Sequence, residues 1–371
     1  MRDTLFKPSF GNRPLVLVGR DDVISVFKES LDSPAGSRER SLILLGQRGT
    51  GKTVLLLEFA EIASQNGFIV TRPIVAAKGM LTKMLEQLKK NAEEHLEKKG
   101  REISGGSVGA FGLSAGIQFT EKEAGSKSFS YQITEICSEL TNKNIGTLFI
   151  IDEVQSDEKE LQEFIISYQD MVGMGLNVAV AFAGLPSTVS STLKNKVLTF
   201  LNRSMKINLK PIKTNEVFSF YRMIFRENGI TITDLLCRKV AEATAGSPYM
   251  MQLIGHYIVR NIEENETVSE SVVNTAIELS IEDYYNDICE TALKDLSERD
   301  IEFLIAMAED DKESRVSDIM ERLQMTNSNY QQYKNRLRDA GVIEQDRRGV
   351  ITITMPGMRE YIRNKYEGSE M

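Results

Sequence analysis

Residues 46–53 read Gly-Gln-Arg-Gly-Thr-Gly-Lys-Thr and match the pattern G-x-x-x-x-G-K-[S/T] at every fixed position. An apolar run at residues 42–45 enters this segment, and a helical pattern begins at Val54. A strand, a glycine-rich turn and a helix in this order form a loop whose backbone N–H groups surround phosphate groups, while the helix dipole favours negative charge. The segment therefore predicts a site for a nucleoside triphosphate.

The residue types in this phosphate loop (residues 46–53) suggest individual roles. Lys52 is expected to reach the β- and γ-phosphates and to assist catalysis, and the Thr53 hydroxyl is expected to bind Mg²⁺. The residues predicted to contact the nucleotide here are Gly46, Gln47, Arg48, Gly49, Thr50, Gly51, Lys52, Thr53 and Val54.

A second acidic motif complements the loop. Residues 147–151 form a buried apolar strand pattern that ends in Asp152 and Glu153. Mg²⁺ on a triphosphate needs a carboxylate opposite Thr53, and Asp152 is the predicted ligand. Glu153 is the predicted base that orients the attacking water. A protein that binds nucleotide and scarcely hydrolyses it is the alternative, since such a protein would keep Asp152 and could spare Glu153.

The order of periodic segments predicts the fold class. Strands alternate with helices up to residue 209, with one strand expected at 68–75 and a helix at 190–203. This alternation is typical of a parallel α/β sheet with helices on both faces. The pattern at residues 105–119, which is rich in Gly and Ser, fits an inserted β-hairpin and a flexible loop equally well.

The rest of the chain divides into two further units. Residues 214–292 are helical throughout, and the final segment shows three helices followed by two strands around residues 347–349, which is the winged-helix order. We therefore predict a nucleotide-binding domain at 1–211, a helical lid domain at 212–294 and a winged-helix domain at 295–371.

Three segments together carry a resemblance to a known family. GQRGTGKT at 46–53, LFIIDE at 148–153 and AFAGLPS at 181–187, followed by an all-helical domain, resemble an AAA+ ATPase. The winged helix makes the chain similar to the archaeal-type ATPases and the origin-recognition initiator ATPases, and the signal-transduction ATPases with numerous domains share the plan. The resemblance implies that the chain binds ATP with Mg²⁺, hydrolyses ATP and forms homo-oligomers or binds protein partners.

The same resemblance implies further site residues. A segment before the first strand closes over the adenine in such ATPases, and Val18, Gly19 and Arg20 occupy that position. A polar residue after the fourth main strand senses the γ-phosphate, and Ser187 or Thr188 is the candidate. Arg203 lies where an arginine often reaches a neighbouring subunit's nucleotide, although an arginine capping a helix C-terminus fits the position equally.

One departure from the family pattern concerns the lid. Initiator ATPases usually carry an arginine just after a Gly-x-Pro turn of the helical domain. Residues 246–250 of this chain read Gly-Ser-Pro-Tyr-Met, so an aromatic residue and a methionine stand there instead. The sequence therefore offers no lid arginine to touch the γ-phosphate.

The C-terminal unit carries a polar and basic stripe. Asn327, Gln331, Lys334 and Arg338 fall on one face of the third helix, and Arg347 and Arg348 stand at the wing tip. Such side chains read base edges or hold phosphates of double-stranded DNA. Nearby Asp339, Glu344 and Asp346 favour the alternative that this unit contacts protein.

Bulk composition limits the protein class. The net charge of −8 over 371 residues argues against a surface that binds nucleic acid generically, so any DNA contact must come from a local basic surface. The three cysteines are far apart and read as core residues of a reducing compartment, and the two lone histidines favour no zinc site. No segment resembles a signal peptide or a membrane span, and we expect a cytoplasmic protein without membrane contact.

Overall fold

The computed structural model describes residues 5–8, 14–96, 128–154, 159–194, 196–262 and 267–366. The segment at 105–119, predicted as a hairpin or loop, lies outside the described residues. Within these ranges, no helix combines the length and the apolar character that crossing a bilayer requires.

A six-stranded parallel sheet forms the first unit. The path through the sheet runs β2-β4-β5-β1-β6, and β3 extends the pairing of β4. The strands are β1 (Ser41–Leu45), β2 (Phe68–Val70), β3 (Ile74–Val75), β4 (Gly146–Asp152), β5 (Val178–Gly184) and β6 (Met205–Asn208). Strands β4 and β5 are buried along their whole length, as expected for parallel strands that are covered on both faces.

Alternating side chains of the strands place helices on both sheet faces. Leu148 packs on the side of the first two helices, whereas Phe149 packs on the side of the next three. The helices of this unit are α1 (Asp21–Asp32), α2 (Lys52–Gln65), α3 (Met80–Ala92), α4 (Phe129–Asn142), α5 (Lys159–Gly173) and α6 (Pro186–Lys194). The predicted α/β fold class is confirmed.

Two element boundaries predicted from the sequence are wrong. The strand expected at 68–75 is interrupted after Val70 and resumes at Ile74, because Pro73 lacks the N–H that a continuous ladder needs. The helix expected at 190–203 is instead α6, which begins at Pro186, followed by a 3₁₀ segment at Lys196–Arg203. Proline is favourable in the first turn of a helix, which accounts for the start of α6 at Pro186.

The second unit is helical, as predicted. It contains α7 (Thr214–Glu227), α8 (Asp234–Ala243), α9 (Pro248–Asn261) and α10 (Glu270–Tyr284), which continues through a π-helical segment at Tyr285–Glu290 into α11 (Thr291–Leu293). Phe6 inserts into its core beside Phe220, Tyr221 and Phe225. The segment at residues 5–8 is therefore held by the helical unit.

The third unit comprises helices and a small antiparallel sheet of order β7-β9-β8. Its elements are α12 (Glu298–Ala308), β7 (Glu313–Arg315), α13 (Val316–Arg322), α14 (Asn327–Asp339), β8 (Ile343–Arg347), β9 (Val350–Ile353) and α15 (Met358–Tyr366). A capping box of Ser297 and Asp300 starts α12, and one continuous apolar cluster joins this unit to the helical unit. We call residues 297–366 the C-terminal unit.

The cysteines Cys137, Cys237 and Cys289 are buried and unpaired with one another, which confirms them as core residues. Burial raises the pKa of the Cys137 thiol to about 12. None of these thiols is therefore an accessible nucleophile at neutral pH.

Candidate functional site

The phosphate loop adopts a conformation that its glycines permit. Gly51 lies in the left-handed region with φ 86° and directly precedes α2. At Gly46, a Cβ atom would come within 2.6 Å of the Thr50 hydroxyl oxygen and 3.2 Å of Leu209. The loop is thus wound tightly between the end of β1 and the N-terminus of α2, where backbone N–H groups and the helix dipole favour an anion.

The Lys52 ammonium group is folded back onto the loop. Its Nζ donates hydrogen bonds to the carbonyl oxygens of Gly46 and Gln47, both at 2.9 Å. Burial lowers the pKa of Lys52 to about 8, an effect that the nearby Asp152 carboxylate partly opposes. A phosphate group arriving at the loop would favour the charged form.

Thr53 and Asp152 meet across the sheet edge. The Thr53 hydroxyl donates a hydrogen bond of 2.6 Å to Asp152 Oδ2, and Asp152 is only 5% exposed. Strand β5 separates β1 from β4, and the carboxyl ends of these parallel strands meet at one edge. Hydroxyl and carboxylate oxygens are the ligands that Mg²⁺ prefers, and Mg²⁺ on a nucleotide also takes phosphate oxygens and waters. The oxygen pair therefore fits the ion, although the described residues hold no group of three His, Cys, Asp or Glu that could bind a metal without the nucleotide.

Glu153 has an unusual backbone conformation. Its φ is 50°, in the left-handed region that residues other than glycine adopt rarely. Its N–H donates to Asp152 Oδ1 at 2.9 Å, and its exposed side chain lines the same cavity as Asp152. Such conformations cost free energy and concentrate at functional sites. Asp152 is buried and Glu153 is exposed, so the two neighbouring carboxylates have different environments.

A cavity of about 1070 Å³ lies over these groups. One wall is the phosphate loop with Asp152 and Glu153, and a second is the N-terminal segment with Pro14, Val16 and Val18. The third wall comes from the helical unit, and its residues include Pro248, Tyr249, Met251, Gln252 and Asp287. Apolar walls around a few polar groups are typical of a small-molecule site.

The predicted N-terminal contacts differ in their placement. Val18 lines the cavity, whereas Gly19 approaches the lid, since a Cβ there would lie 2.6 Å from Glu216 Oε2. The buried Arg20 guanidinium donates to the carbonyl oxygens of Lys210 at 2.9 Å and Thr50 at 3.2 Å. Arg20 therefore ties the phosphate loop to the chain that leads into the helical unit.

The lid turn at 246–250 packs directly on the phosphate loop. Pro248 Cγ would lie 3.7 Å from a Cβ atom on Gly51, and Ser247 caps α9 by accepting the Met250 N–H. The Tyr249 hydroxyl donates a hydrogen bond of 2.5 Å to Asp287 Oδ2. Asp287 lies on the π-helical segment, and no sequence signal pointed to it.

Other predicted residues lie around the site. Thr188 lines the cavity, and its hydroxyl donates to the Asp339 carbonyl oxygen of α14 at 3.4 Å. Ser187 Oγ is buried without a hydrogen-bond partner among the described residues. Arg203 is exposed at the end of the 3₁₀ segment, and it does not line this cavity. Gly46 and Gln47 line a second cavity behind the loop.

The predicted DNA-contacting stripe is partly engaged within the chain. Lys334 Nζ donates to Gln331 and Gln345 at 2.7 and 3.4 Å. Arg347 pairs with Glu313 at 2.7 Å, and Arg338 lies 3.6 Å from Asp339. Asn327, Gln331 and Arg348 are exposed.

Comparisons with known proteins bear on two parts of the chain. Residues 16–180 match the AAA ATPase domain, and residues 286–362 match a domain of unknown function (DUF8462). None of the curated proteins matches the chain.

Solved structures resemble the whole chain. The Walker-type ATPase of Pyrococcus abyssi has a TM-score of 0.69 and 16% identity, covering 98% of this chain and 100% of that one. The ORC2 protein of Aeropyrum pernix, in its ADPNP–ADP complexes, has a TM-score of 0.63 and 13% identity over 97% of each chain. Cdc6p of Pyrobaculum aerophilum has a TM-score of 0.52 and 16% identity over 98% of each chain. At these identities the likeness shows the fold.

The pKa of Lys52 predicts proton uptake on triphosphate binding. With a pKa of about 8 in the free protein, part of the Lys52 population is neutral at pH 8.5, and bound phosphate restores its charge. Calorimetry at pH 8.5 in buffers of different ionisation enthalpy should therefore report uptake of a fraction of one proton, and affinity should decline as the pH rises above 8. Equal heats in all buffers, at both pH 6.5 and pH 8.5, would contradict this assignment.

Proposed function

We propose that this chain, whose nucleotide-binding core is an AAA+ ATPase domain with the fold of the ORC and Cdc6 proteins, uses its nucleotide state to control DNA binding by the C-terminal unit. The observation that carries the ATPase part is the contact of Thr53 with Asp152 beneath the phosphate loop. It joins the two motifs that a triphosphate and its cation require.

The triphosphate is assigned to the loop and the sheet edge. Lys52 would exchange its carbonyl partners for the β- and γ-phosphates, and Thr53 and Asp152 would hold Mg²⁺. Mg²⁺ would neutralise charge on the phosphates when bound. Val18 and the neighbouring apolar wall accommodate the base, and Arg20 supports the site through the Thr50 carbonyl rather than by touching nucleotide.

Glu153 is assigned as the base that orients the attacking water. Its exposed side chain lines the cavity one residue beyond Asp152, and the left-handed turn separates the two carboxylates. Water polarisation by a placed carboxylate contributes rate in the chemical step and little to ground-state binding.

Glu153→Gln should lower ATP turnover by about 10²-fold or more, because the amide cannot accept the proton. Affinity for ATP should stay within a few-fold of wild type, as measured by equilibrium titration. Lys52→Ala is the matched comparison, since it should abolish binding itself. Unchanged turnover in Glu153→Gln would remove the assigned base and support a protein that binds ATP without this chemistry.

Arg203 is proposed to act on a neighbouring subunit. It is exposed and lies away from its own cavity, as an arginine that acts in trans must be. Its place at the end of a 3₁₀ segment, where a basic side chain is favourable by itself, supports the simpler role of a cap.

Mixing two inactive variants separates these roles. Arg203→Ala should reduce turnover at least tenfold, well within what an arginine finger supplies. Adding Lys52→Ala protein should restore part of that activity, because its subunits donate an intact Arg203 to functional sites. A cap-only role predicts no restoration on mixing.

The C-terminal unit is assigned as a winged helix that binds double-stranded DNA. Its first three helices and its antiparallel strands occur in the winged-helix order, and a fourth helix, α15, follows them. Asn327, Gln331 and Arg348 are exposed on the predicted face and wing tip. We place the units at residues 1–211, 212–294 and 295–371.

A specific observation favours the second candidate function, in which the C-terminal unit contacts protein. Arg347 and Arg338 already face carboxylates of this chain at 2.7 and 3.6 Å.

DNA binding predicts a salt-dependent duplex affinity. Charge reversal at Lys334, Arg338, Arg347 and Arg348 should abolish it, and in the wild type log K should fall with log salt by about 0.9 for each phosphate contacted. The matched control reverses four exposed lysines elsewhere, namely Lys28, Lys83, Lys90 and Lys294. If both sets weaken binding equally, or no duplex binds at low salt, the protein-binding alternative replaces this assignment.

A further inference from the structure

The C-terminal unit sits against the γ-phosphate side of the nucleotide cavity. The Thr188 hydroxyl donates to the Asp339 carbonyl oxygen, and Asp339 itself lines the cavity. Beside this contact, a Cβ atom on Gly341 would lie 2.8 Å from Leu185 Cδ1 and 3.2 Å from Gln47 Oε1. The end of α14 is therefore packed onto both the phosphate loop and the segment after β5.

The strand order shows which phosphate this edge faces. A triphosphate that starts at the loop after β1 and ends near Asp152 after β4 must pass the end of β5, since β5 lies between those strands. Thr188 lies in the first turn of α6, four residues after the end of β5. The terminal phosphate, rather than the base, is thus the part of the ligand that approaches Asp339.

Several buried polar atoms where the end of α14 packs against the nucleotide-binding unit lack hydrogen-bond partners among the described residues. These atoms are Gln47 Oε1, Ser187 Oγ and Arg338 Nε. Buried polar atoms without partners weaken an interface. Among the described residues, the hydrogen bond from Thr188 to the Asp339 carbonyl oxygen is long at 3.4 Å, so a change of charge in the cavity needs to overcome only a weak polar contact there.

We propose that Asp339 makes the docked C-terminal unit discriminate against a bound triphosphate, so that ADP favours docking and ATP favours release. This inference rests on the proposed nucleotide site and adds a specificity residue from the third unit. The side chain of Asp339 is 52% exposed, and its partner Arg338 at 3.6 Å offsets its charge only partly. Repulsion between this carboxylate and the γ-phosphate disfavours docking of the C-terminal unit while ATP is bound.

Thermodynamic linkage relates docking of the C-terminal unit to ATP affinity. If docking lowers ATP affinity by some factor, ATP must weaken docking by the same factor. The cavity also contains Lys52 and Arg48 against Asp152 and Glu153, and these groups stay in the cavity whether or not the C-terminal unit is docked. Asp339 is different because it leaves the cavity when the C-terminal unit leaves.

The affinity test compares ATP, as a non-hydrolysable analogue, with ADP. Asp339→Asn keeps the backbone carbonyl that Thr188 binds and removes the charge, and it should tighten analogue binding by about fivefold to tenfold relative to ADP. Asp339→Glu should keep the wild-type ratio. Asp311→Asn, which removes the same charge from a 96% exposed position of the same unit, should change neither affinity. An unchanged ratio in Asp339→Asn, or an equal change for both nucleotides, overturns the proposal.

The docking test measures the position of the C-terminal unit. All three native cysteines are buried, so dyes can be attached selectively at Lys28→Cys and Glu321→Cys, two exposed positions away from the cavity. The analogue should lower energy transfer relative to ADP, and Asp339→Asn should abolish that difference. Energy transfer that is the same with both nucleotides overturns the proposal even if both bind. Failure of nucleotide to bind the wild type, or binding that Lys52→Ala leaves intact, instead overturns the proposed nucleotide site itself.

Discussion

The hydrogen bond between the Thr53 hydroxyl and the Asp152 carboxylate connects the first turn of α2 to the end of β4. Neither residue could reach the other unless β1, β5 and β4 lay side by side in parallel, with their carboxyl ends at one edge. The sheet order is therefore the constraint on which the site depends. Fully buried strands β4 and β5 fix that order through apolar packing on both faces.

The helical unit and the N-terminal segment complete the cavity, and Arg20 connects them to the phosphate loop. Its guanidinium bonds join Thr50 to Lys210, where the chain passes from the sheet into the helical unit. Burial lowers the pKa of Arg20, but an arginine keeps its charge at physiological pH. A buried charged group of this kind is costly to leave unpaired, so a movement of the helical unit that breaks either bond carries a free-energy cost.

Local features of the sequence predicted the strand, loop and helix around residues 46–53, because each element there follows from its own residues. Asp152 was also predictable, since parallel strands bring their ends together. Asp287 was not, because its place in the cavity depends on how a π-helical segment of a distant unit packs. The packing of Phe6 and the position of Asp339 at the cavity were not predictable for the same reason, because both depend on contacts with units far away in the chain. The break at Pro73 could have been predicted from the sequence, because Thr71, Arg72 and Pro73 interrupt the apolar residues on either side.

The central claim is that Mg²⁺ and the triphosphate bind together between the phosphate loop and Asp152. Titration of ATP into the protein with Mg²⁺ and with EDTA tests this most directly, when the wild type is compared with Asp152→Asn. Mg²⁺ should strengthen ATP binding to the wild type and have much less effect on the variant, because the variant lacks the carboxylate that would hold the ion. An equal effect of Mg²⁺ on both proteins, or no effect on the wild type, would contradict it.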